Sequence, residues 1–521
     1  MDTLIFILLG CLASLAYHFW RVRVPRGATL PPGPSRLPFI GMIIPHECAW
    51  IKYTEWARQY GDIVYLESFG RPLVVLNSFR AATELFDKRA TIYSDRPRLV
   101  MVDELVGWTW DMAHMPYSER WKMHRRVFHQ SFQPRAIPEY FPILRHSAAS
   151  LVHNLAINPE EYVGHIRQFA GGVVLRVTYG YNAKSRHDDY LQLVKEAMEP
   201  LMQSVHAGSF YVDFIPALKY IPSWFPGAEF KRKAKGWALS ALRLRESPFQ
   251  SVKDSIANGR CMPCFVSKQL EKAQNEDNLV LEEVVKNCAG IAYVAGSDTG
   301  VSLLESWFLA MITFPEAQAR AQKELDAVVG SDRLPDFSDR ASLPYLDAML
   351  LETLRWNPPA PLGMPHNTRQ DDIYEGYFIP KGTTVIANHW AILQNEEIYP
   401  EPQRFLPERF LPQEGRKSLL DPIIGGVFGF GRRICPGRYL ALSSAWLAKA
   451  HVLACFEVRC AIDEHGKEML PRIKNISGLV IHPHPFKIHL VPRSKELLSL
   501  VQVMNEEAYS TPLFLLYVLG S

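Results

Sequence analysis

One loop constrains this chain more than any other stretch: the ten residues Phe428-Gly-Phe-Gly-Arg-Arg-Ile-Cys-Pro-Gly437. Its glycines allow backbone conformations that a side chain would forbid. Pro436 suits the first turn of a helix, and the Ala- and Leu-rich residues from Arg438 to Val458 predict that helix. Cys435 therefore lies just before a helix N-terminus, where unpaired N–H groups and two neighbouring arginines favour a thiolate. Such a thiolate could serve as a nucleophile, a redox centre or a metal ligand.

The composition is that of a large folded protein. The chain has 521 residues, of which 48% are hydrophobic, so global disorder is excluded. A net charge of +3 is too small to indicate a nucleic-acid-binding protein. The eight cysteines are scattered and do not form the dense disulfide framework of a small secreted protein.

The N-terminal residues predict a membrane anchor. The stretch from Leu4 to Trp20 carries no Lys, Arg, Asp or Glu and has about the minimum length that spans a bilayer. Three arginines follow between residues 21 and 26, which places that side in the cytoplasm, whereas a cleaved signal peptide would carry its charge before the apolar run. We expect residues 1–30 to be an uncleaved anchor with its proline-rich linker, and the rest of the chain to be cytosolic.

The cysteine loop fits the arrangement Phe-x-x-Gly-x-Arg-x-Cys-x-Gly at Phe428, Gly431, Arg433, Cys435 and Gly437. In these residues the chain resembles the cytochrome P450 family, in which this cysteine is the proximal ligand of haem iron. The resemblance implies that Cys435 binds the iron of haem b and that the other four residues contact the cofactor. The alternative is a glycine-rich loop around a buried, inert cysteine.

A second informative stretch is the long apolar helix predicted from Val280 to Phe314. In its middle, Ala295-Gly-Ser-Asp-Thr-Gly300 is expected to interrupt the helix, because Thr299 can bond back to a carbonyl and Asp298 is costly there unless it is partnered or used. The run matches the family signature Ala/Gly-Gly-x-Asp/Glu-Thr. That match implies that Asp298 and Thr299 are catalytic residues that help deliver protons to bound oxygen. The alternative is a glycine-opened helix crossing with an aspartate that reaches solvent.

The resemblance also implies contacts to the haem propionates. Trp121 and Arg125 lie four apart, on one face of a predicted helix, and correspond to a Trp-x-x-x-Arg pair of the family. His366 stands where the family more often has arginine, and we expect it at a propionate as well. The alternatives are an ordinary amphipathic helix with an exposed arginine and a histidine of the surface or core.

Glu352 and Arg355 are spaced to pair on a helix that ends at Trp356. The segment Pro407-Glu-Arg-Phe410 follows later in the chain and supplies Arg409. The resemblance implies that Glu352, Arg355 and Arg409 form a structural triad that supports the cysteine loop. Removing one member would leave a buried charge unpaired.

Several local elements follow from apolar runs and turn residues. They are a β-hairpin from Asp62 to Leu76 with its turn at Gly70–Pro72, a helix from Phe79 to Lys88 capped by Ser78, strands at Asp372–Ile379 and Thr383–Asn388, and C-terminal strands around Ile476–His482 and Phe486–Val491.

Five mostly apolar segments are expected to line a pocket for a hydrophobic substrate: Leu99–Tyr117, Leu201–Phe214, Ile291–Thr299, Pro359–His366 and Gly478–Ile481. The stretch from Phe210 to Phe230 is dense in aromatic residues and prolines and precedes a basic run. Such a composition suits a membrane interface. In the family this region covers the pocket and touches the bilayer; the alternative is a packed connection between two helices.

The resemblance covers about residues 31–495. It implies a single large domain that is mainly α with small β-sheets, followed by a tail of unknown role at 496–521. It also implies a haem-thiolate monooxygenase that uses O₂ and electrons from NADPH-cytochrome P450 reductase to hydroxylate or otherwise oxidise a hydrophobic small molecule. In its proline- and aromatic-rich capping segment the chain is similar to fungal microsomal members, which act in secondary metabolism or xenobiotic conversion. We expect it to be a single-pass protein of the endoplasmic reticulum membrane.

Two other functions stay open on the sequence. One is a haem-thiolate isomerase or dehydratase that rearranges a peroxide without oxygen or reductase; an intact Asp298–Thr299 pair argues against it. The other is a non-catalytic haem-binding protein, which would give a haem spectrum but no NADPH-dependent turnover.

Overall fold

The computed structural model describes residues 10–11, 24–37, 41–45, 47–183, 185–205, 209–275, 278–412 and 419–510, with backbone alone for 506–510. In this part of the chain the fold is mainly helical with small sheets, as the sequence predicted. The α-helices in chain order are α1 (Ala49–Tyr60), α2 (Phe79–Thr83), α3 (Ala90–Tyr93), α4 (Glu119–Phe132), α5 (Phe141–Ile157), α6 (Tyr162–Tyr179), α7 (Asp189–Val205), α8 (Tyr211–Phe214), α9 (Glu229–Ala257), α10 (Phe265–Asn275), α11 (Leu279–Thr313), α12 (Pro315–Val328), α13 (Pro344–Trp356), α14 (His389–Leu393), α15 (Leu420–Phe428), α16 (Arg438–Cys455) and α17 (Lys495–Ser510).

The strands form small sheets between these helices. They are β1 (Ile63–Ser68), β2 (Arg71–Leu76), β3 (His366–Asn367), β4 (Asp372–Tyr374), β5 (Tyr377–Ile379), β6 (Thr384–Ala387), β7 (Phe456–Cys460), β8 (Asn475–Ile476), β9 (His482–Pro483) and β10 (Ile488–Pro492). The largest sheet has the order β1-β2-β6-β3, while β7 pairs with β10, β4 with β5 and β8 with β9. Shorter helical segments of the 3-10 type lie at Ile137–Tyr140, Pro159–Glu161, Pro216–Tyr220, Phe337–Ser342, Pro407–Phe410 and Gly431–Arg433, and π-helical segments at Glu84–Lys88 and Val100–Val106.

The predicted N-terminal hairpin is confirmed. Strands β1 and β2 pair antiparallel, from Ile63 opposite Leu76 to Ser68 opposite Arg71. The turn lies one position earlier than predicted, so Pro72 is paired within β2. The helix after it is also confirmed, since the Ser78 side chain accepts a hydrogen bond from the backbone N–H of Ala81.

The prediction of one continuous strand from Asp372 to Ile379 was wrong. This stretch folds into the hairpin of β4 and β5, with Tyr374 opposite Tyr377. Glu375 and Gly376 occupy the turn with φ of 51° and 82°. Two successive positive φ values are the geometry of a two-residue turn whose twist matches that of the flanking strands.

Helix α11 runs through the core of the protein. Asn278 caps its N-terminus, where the side chain accepts a hydrogen bond from the N–H of Leu281, and the helix ends just before Pro315. Its residues are buried on every side from Cys288 to Val294 and again from Val301 to Ile312. Between these two buried stretches lies the accessible part of the helix.

The expected interruption of this helix does not occur, because the helical backbone is continuous from Ala295 to Gly300. The two glycines instead face α6. A Cβ at Gly296 would lie 2.7 Å from Cγ2 of Val174, and one at Gly300 would lie 3.3 Å from Cβ of Ala170. Both glycines therefore allow α6 to approach α11 closely, which is the helix-crossing role that the sequence left as the alternative.

More of the C-terminal region packs into the core than the sequence indicated. Helix α16 ends at Cys455, where the chain continues as β7, a strand that the sequence analysis had not separated from the helix. Helix α17 packs against α5, with Leu497 and Val501 buried and with Ser150 donating a hydrogen bond to Asn505. The segment that was expected to be a tail from residue 496 thus begins as part of the core.

Among the described residues, no helix combines the length and apolar character that crossing a membrane requires. The predicted anchor at Leu4–Trp20 lies outside these residues, apart from Gly10 and Cys11.

Candidate functional site

Cys435 is held between the end of one helix and the start of another. Helix α15 ends at Phe428, whose carbonyl accepts a hydrogen bond of 2.7 Å from the Cys435 N–H. Gly431 is required because its φ is 54° and a Cβ there would lie 2.2 Å from the carbonyl oxygen of Phe86. Gly437 caps α16, so the sulfur of Cys435 lies at that helix's N-terminus.

The structure corrects the expected ionisation of this thiol. Burial raises the pKa of Cys435, while the N–H groups of Gly437 and Arg438 and the charges of Arg125 and Arg438 lower it. Burial outweighs these other effects, so the helix N-terminus alone does not produce a thiolate. A metal ion bound to the sulfur would, because a coordinated thiol is deprotonated outright.

Arg433 lies beside the loop and is buried. It donates to the backbone carbonyls of Ser94 and Met115 at 2.9 and 2.7 Å, and its guanidinium carbon stands 4.4 Å from the ring centroid of Trp121. Burial lowers the pKa of Arg433 to about 8. Backbone carbonyls and a ring face therefore stabilise the charge of Arg433, with a further favourable contribution from the charge of Asp95.

A second arginine, Arg96, acts on the charge of Arg433. The sequence analysis missed it. Its guanidinium donates to the carbonyls of Ala113, Met364 and Pro365 at 2.8, 3.0 and 2.7 Å. Burial lowers its pKa to about 10. No local signal separates Arg96 from Arg98, which is exposed and pairs with a glutamate.

Arg125 is the third member of what we call the arginine group: Arg96, Arg125 and Arg433. Burial lowers the pKa of Arg125, and a negative charge on Cys435 would oppose this shift. Within the described part of the chain, none of the three forms an ion pair with a carboxylate. Buried charges are normally paired, so this group fits a ligand that carries negative charge close to the cysteine. Haem has that property in its two propionates.

His366 lies in the same cluster but is a poor donor. Its Nδ1 donates to the Tyr93 carbonyl at 2.7 Å, and its ring stacks on Phe86 with centroids 4.0 Å apart. Burial and the charges of Arg96 and Arg433 lower its pKa well below the usual value. The neutral ring then presents only an acceptor at Nε2, so Arg96 is better suited than His366 to hold a propionate.

The accessible part of α11 carries Ala295 and Thr299. Ala295 is exposed and Thr299 is half-buried, although the helix is buried before and after them. Thr299 Oγ1 donates to the carbonyl of Ala295 at 2.8 Å, as the sequence suggested. The hydroxyl oxygen remains available to accept a hydrogen bond from a ligand beside the helix.

Asp298 belongs to a cluster that the sequence analysis did not find. Its Oδ2 lies 3.3 Å from Nε2 of His482 in β9, and its Oδ1 lies 3.8 Å from Nη1 of Arg167 in α6. The other nitrogen of His482, Nδ1, lies 2.7 Å from Oε2 of Glu305, two turns further along α11. We call Arg167, Asp298, Glu305 and His482 the distal charge cluster.

Glu352, Arg355 and Arg409 lie in direct contact in the interior. Glu352 accepts from Arg355 at 2.6 and 2.8 Å and from Arg409 at 3.1 Å. It also accepts from the backbone N–H of Leu406 at 2.8 Å. The glutamate and Arg355 are fully buried. This contact ties α13 to the segment from 400 to 410.

Comparison with known proteins agrees with the family suggested by the cysteine loop. A family model for Cytochrome P450 matches residues 31–490. A cytochrome P450 monooxygenase of Armillaria gallica is 41% identical over 478 residues, which cover 91% of this chain and 93% of the relative. Another from Coprinopsis cinerea is 41% identical over 486 residues, 91% of each chain. The tryptamine 4-monooxygenase of Psilocybe cyanescens is 38% identical over 504 residues, 95% of this chain and 98% of the relative. The chain therefore belongs to the cytochrome P450 family, whose cofactor is haem, and is a monooxygenase of that family.

Proposed function

We propose that this protein binds haem through the thiolate of Cys435 and oxidises a hydrophobic small molecule with O₂ and electrons from NADPH-cytochrome P450 reductase. The observation that carries the proposal is the arginine group. The three guanidinium groups form no ion pair with a carboxylate among the described residues, and Arg125 acts directly on the charge of Cys435. A cofactor with two propionates would bring two negative charges to this group.

Haem, when bound, supplies the oxygen-activating chemistry, and thiolate donation favours O–O cleavage. Cys435 would hold the iron, and the arginine group, with Trp121 packed against Arg433, would fix the propionates. Each turnover takes up one O₂, two electrons and two protons; one oxygen atom enters the substrate and the other leaves as water. Asp298 and the Thr299 hydroxyl would hold and orient the protons that this balance needs.

The substrate class follows from the segments expected to line the pocket. They contribute many buried apolar side chains, among them Met101, Trp110, Ile291 and Ile481. The Psilocybe relative is named for its action on tryptamine, an alkylamine that carries an aromatic indole ring. We propose a hydrophobic or aromatic substrate, in secondary metabolism or xenobiotic conversion.

A location at the endoplasmic reticulum membrane is part of the proposal. Tyr211, Tyr220 and Trp224 are 65, 77 and 78% exposed, and the basic run beginning at Lys231 follows them. Exposed aromatic side chains next to cations suit the interface of a bilayer. Together with the expected anchor at Leu4–Trp20, they support a catalytic body that rests on the cytosolic face, where it would meet its reductase.

Cofactor ligation is tested in the full-length protein by the spectrum of its reduced carbon monoxide complex. We expect the band that is typical of thiolate-ligated haem, its loss in Cys435→Ala and its retention in the matched control Cys460→Ala. A thiolate band that persists in Cys435→Ala would overturn the site assignment.

The reaction class is tested with ¹⁸O₂, reductase and NADPH on a panel of hydrophobic compounds that includes 7-ethoxycoumarin. The expected product carries one ¹⁸O atom, or is formed by an oxidation that depends on NADPH. If no member of the panel reacts but organic hydroperoxides rearrange without reductase, the isomerase function replaces the proposal.

A further inference from the structure

His482 bridges two carboxylates of the same helix. Asp298 and Glu305 are seven residues apart, which is two turns of α11, so their side chains project from one face. The imidazole of His482 lies between them, with Nε2 3.3 Å from Asp298 and Nδ1 2.7 Å from Glu305. Each ring nitrogen faces an acceptor, and only the doubly protonated imidazolium can donate to both.

The surroundings favour this cation. Burial lowers the pKa of His482, but the hydrogen bonds and charges of Asp298 and Glu305 have a larger opposite effect. The net result is a pKa raised to about 9. From α6, Arg167 faces Asp298, and the hydroxyl of Tyr162 lies near Glu305 and donates to the carbonyl of Phe486. The cluster thus contains two carboxylates and two cations, with Arg167 on its accessible side and Glu305 on its buried side.

The backbone next to His482 is hydrogen-bonded to two other segments of the chain. The hydroxyl of Ser302 in α11 donates to the carbonyl of Ile481. The N–H of Ile481 donates to the carbonyl of Pro359 at 2.9 Å. Residue 481 therefore connects α11 to the segment from 359 to 366, and the imidazole beside it is held at a defined distance from α11.

Helix geometry separates Asp298 from Thr299. Successive helical residues point about 100° apart. The Asp298 carboxylate contacts His482 of β9 and Arg167 of α6, whereas the Thr299 hydroxyl donates to the carbonyl of Ala295. A carboxylate that is to serve the oxygen side of the helix must have a defined resting position. His482 supplies it at 3.3 Å, whereas Arg167 lies 3.8 Å from Asp298 and is 48% exposed, so the contact to Arg167 is weaker.

We propose that His482 is a positioning residue for the reaction: with Glu305 fixing its ring, it holds the Asp298 carboxylate in the defined resting position from which the carboxylate turns to supply protons on the oxygen side of α11. The inference rests on the proposed monooxygenase function. It concerns a histidine of strand β9, outside every motif that the sequence analysis assigned.

The test compares two ways of driving the holoenzyme with 7-ethoxycoumarin, or with the panel member that it oxidises best. NADPH with reductase requires O₂, two electrons and two protons. Cumene hydroperoxide brings oxygen at the peroxide level and requires no net proton uptake, so this arm reports on haem and pocket alone. The variants are His482→Gln, which removes the cation, His482→Lys, which retains it, and the matched control His484→Gln, whose side chain is exposed.

We expect His482→Gln to lower the NADPH-driven kcat about tenfold with KM nearly unchanged, and to leave the hydroperoxide-driven rate within about twofold. His482→Lys should recover most of the loss, and His484→Gln should match the wild type. In the wild type the NADPH-driven rate should fall with a midpoint near pH 9, and His482→Gln should lack that limb. The thermal unfolding midpoint, measured without turnover, should fall more between pH 7 and 10 in the wild type than in His482→Gln.

The inference is overturned if His482→Gln keeps the NADPH-driven rate and the pH profile of the wild type. It is also overturned if the NADPH-driven and hydroperoxide-driven rates fall equally. If His482→Gln fails to retain haem, the pH profile of Glu305→Gln tests the inference instead. It keeps the contact to Asp298 but removes one source of the raised pKa, so the alkaline midpoint must move to lower pH; an unchanged midpoint overturns the inference. Failure of the wild type to oxidise any panel member would instead overturn the proposed function.

Discussion

Gly296 of α11 lies directly against Val174 of α6, so close that a Cβ on the glycine would stand 2.7 Å from a valine methyl carbon. Valine is branched at Cβ and has little rotamer freedom in a helix, so it cannot move aside easily. We expect Gly296→Ala to lower the free energy of unfolding by about 1–3 kcal/mol through overpacking. Thermal or denaturant unfolding measures this change.

The control for that prediction is Gly236→Ala in α9. Gly236 is exposed, and no atom lies within 4 Å of the position that the alanine methyl group would take, so alanine should stabilise its helix by about 0.5–1 kcal/mol. A stabilising effect at both sites would show that α6 and α11 are less closely packed than the structure indicates.

Removing the shared acid of the buried triad should be far more damaging than removing a surface acid. Glu352→Gln leaves Arg355 and Arg409 buried without their carboxylate, at a cost of about 3–5 kcal/mol in unfolding free energy. Glu408→Gln, which breaks an exposed pair with Arg320, should cost less than about 1 kcal/mol. Denaturant unfolding of both variants tests the difference, and equal costs would contradict it.

Stability should depend on pH through His482. Its pKa rises from 6.5 to about 9 on folding, so the protonated form stabilises the fold fully below about pH 6.5, and this contribution disappears as the pH rises through 9. The shift corresponds to about 3 kcal/mol. The difference in unfolding free energy between the wild type and His482→Gln should shrink by that order between pH 6 and 10. A difference that stays constant over this range would show that folding does not raise the pKa of His482.

Arg96 should matter for haem retention although no sequence motif includes it. We expect Arg96→Leu to accelerate haem transfer to apomyoglobin about tenfold, which corresponds to about 1.4 kcal/mol of lost binding free energy. Arg98→Leu, at the exposed arginine two residues away, should transfer haem at the wild-type rate. Equal rates for Arg96→Leu and the wild type would remove Arg96 from the proposed propionate contacts.

The sequence was most informative where a pattern is local. The alternation and turn residues of the β1–β2 hairpin, the Ser78 cap and the apolar length of α11 all depend on neighbours within a few positions. The family resemblance was likewise visible in the cysteine loop, because that motif lies within ten residues. The sequence placed the resemblance at about residues 31–495, and the family model matches residues 31–490.

Contacts between distant segments were not visible in the same way. His482 lies 184 residues from Asp298 and 177 from Glu305, and no composition or spacing links them. Gly296 was interpreted as a weak point of a helix because its sequence does not show which neighbour it faces. The turn at Glu375–Gly376 was missed because a single Glu-Gly pair between apolar residues can also continue a strand.

Helix α17 sets a practical limit on how this enzyme can be re-engineered. Leu497 and Val501 are buried and Asn505 accepts from Ser150 of α5, so these turns pack against α5 as part of the core. A self-sufficient fusion, with a reductase joined to the C-terminus, would need its junction beyond residue 510. A junction near 495, where the sequence resemblance fades, would remove the buried side chains of α17 from α5 and expose apolar surface there.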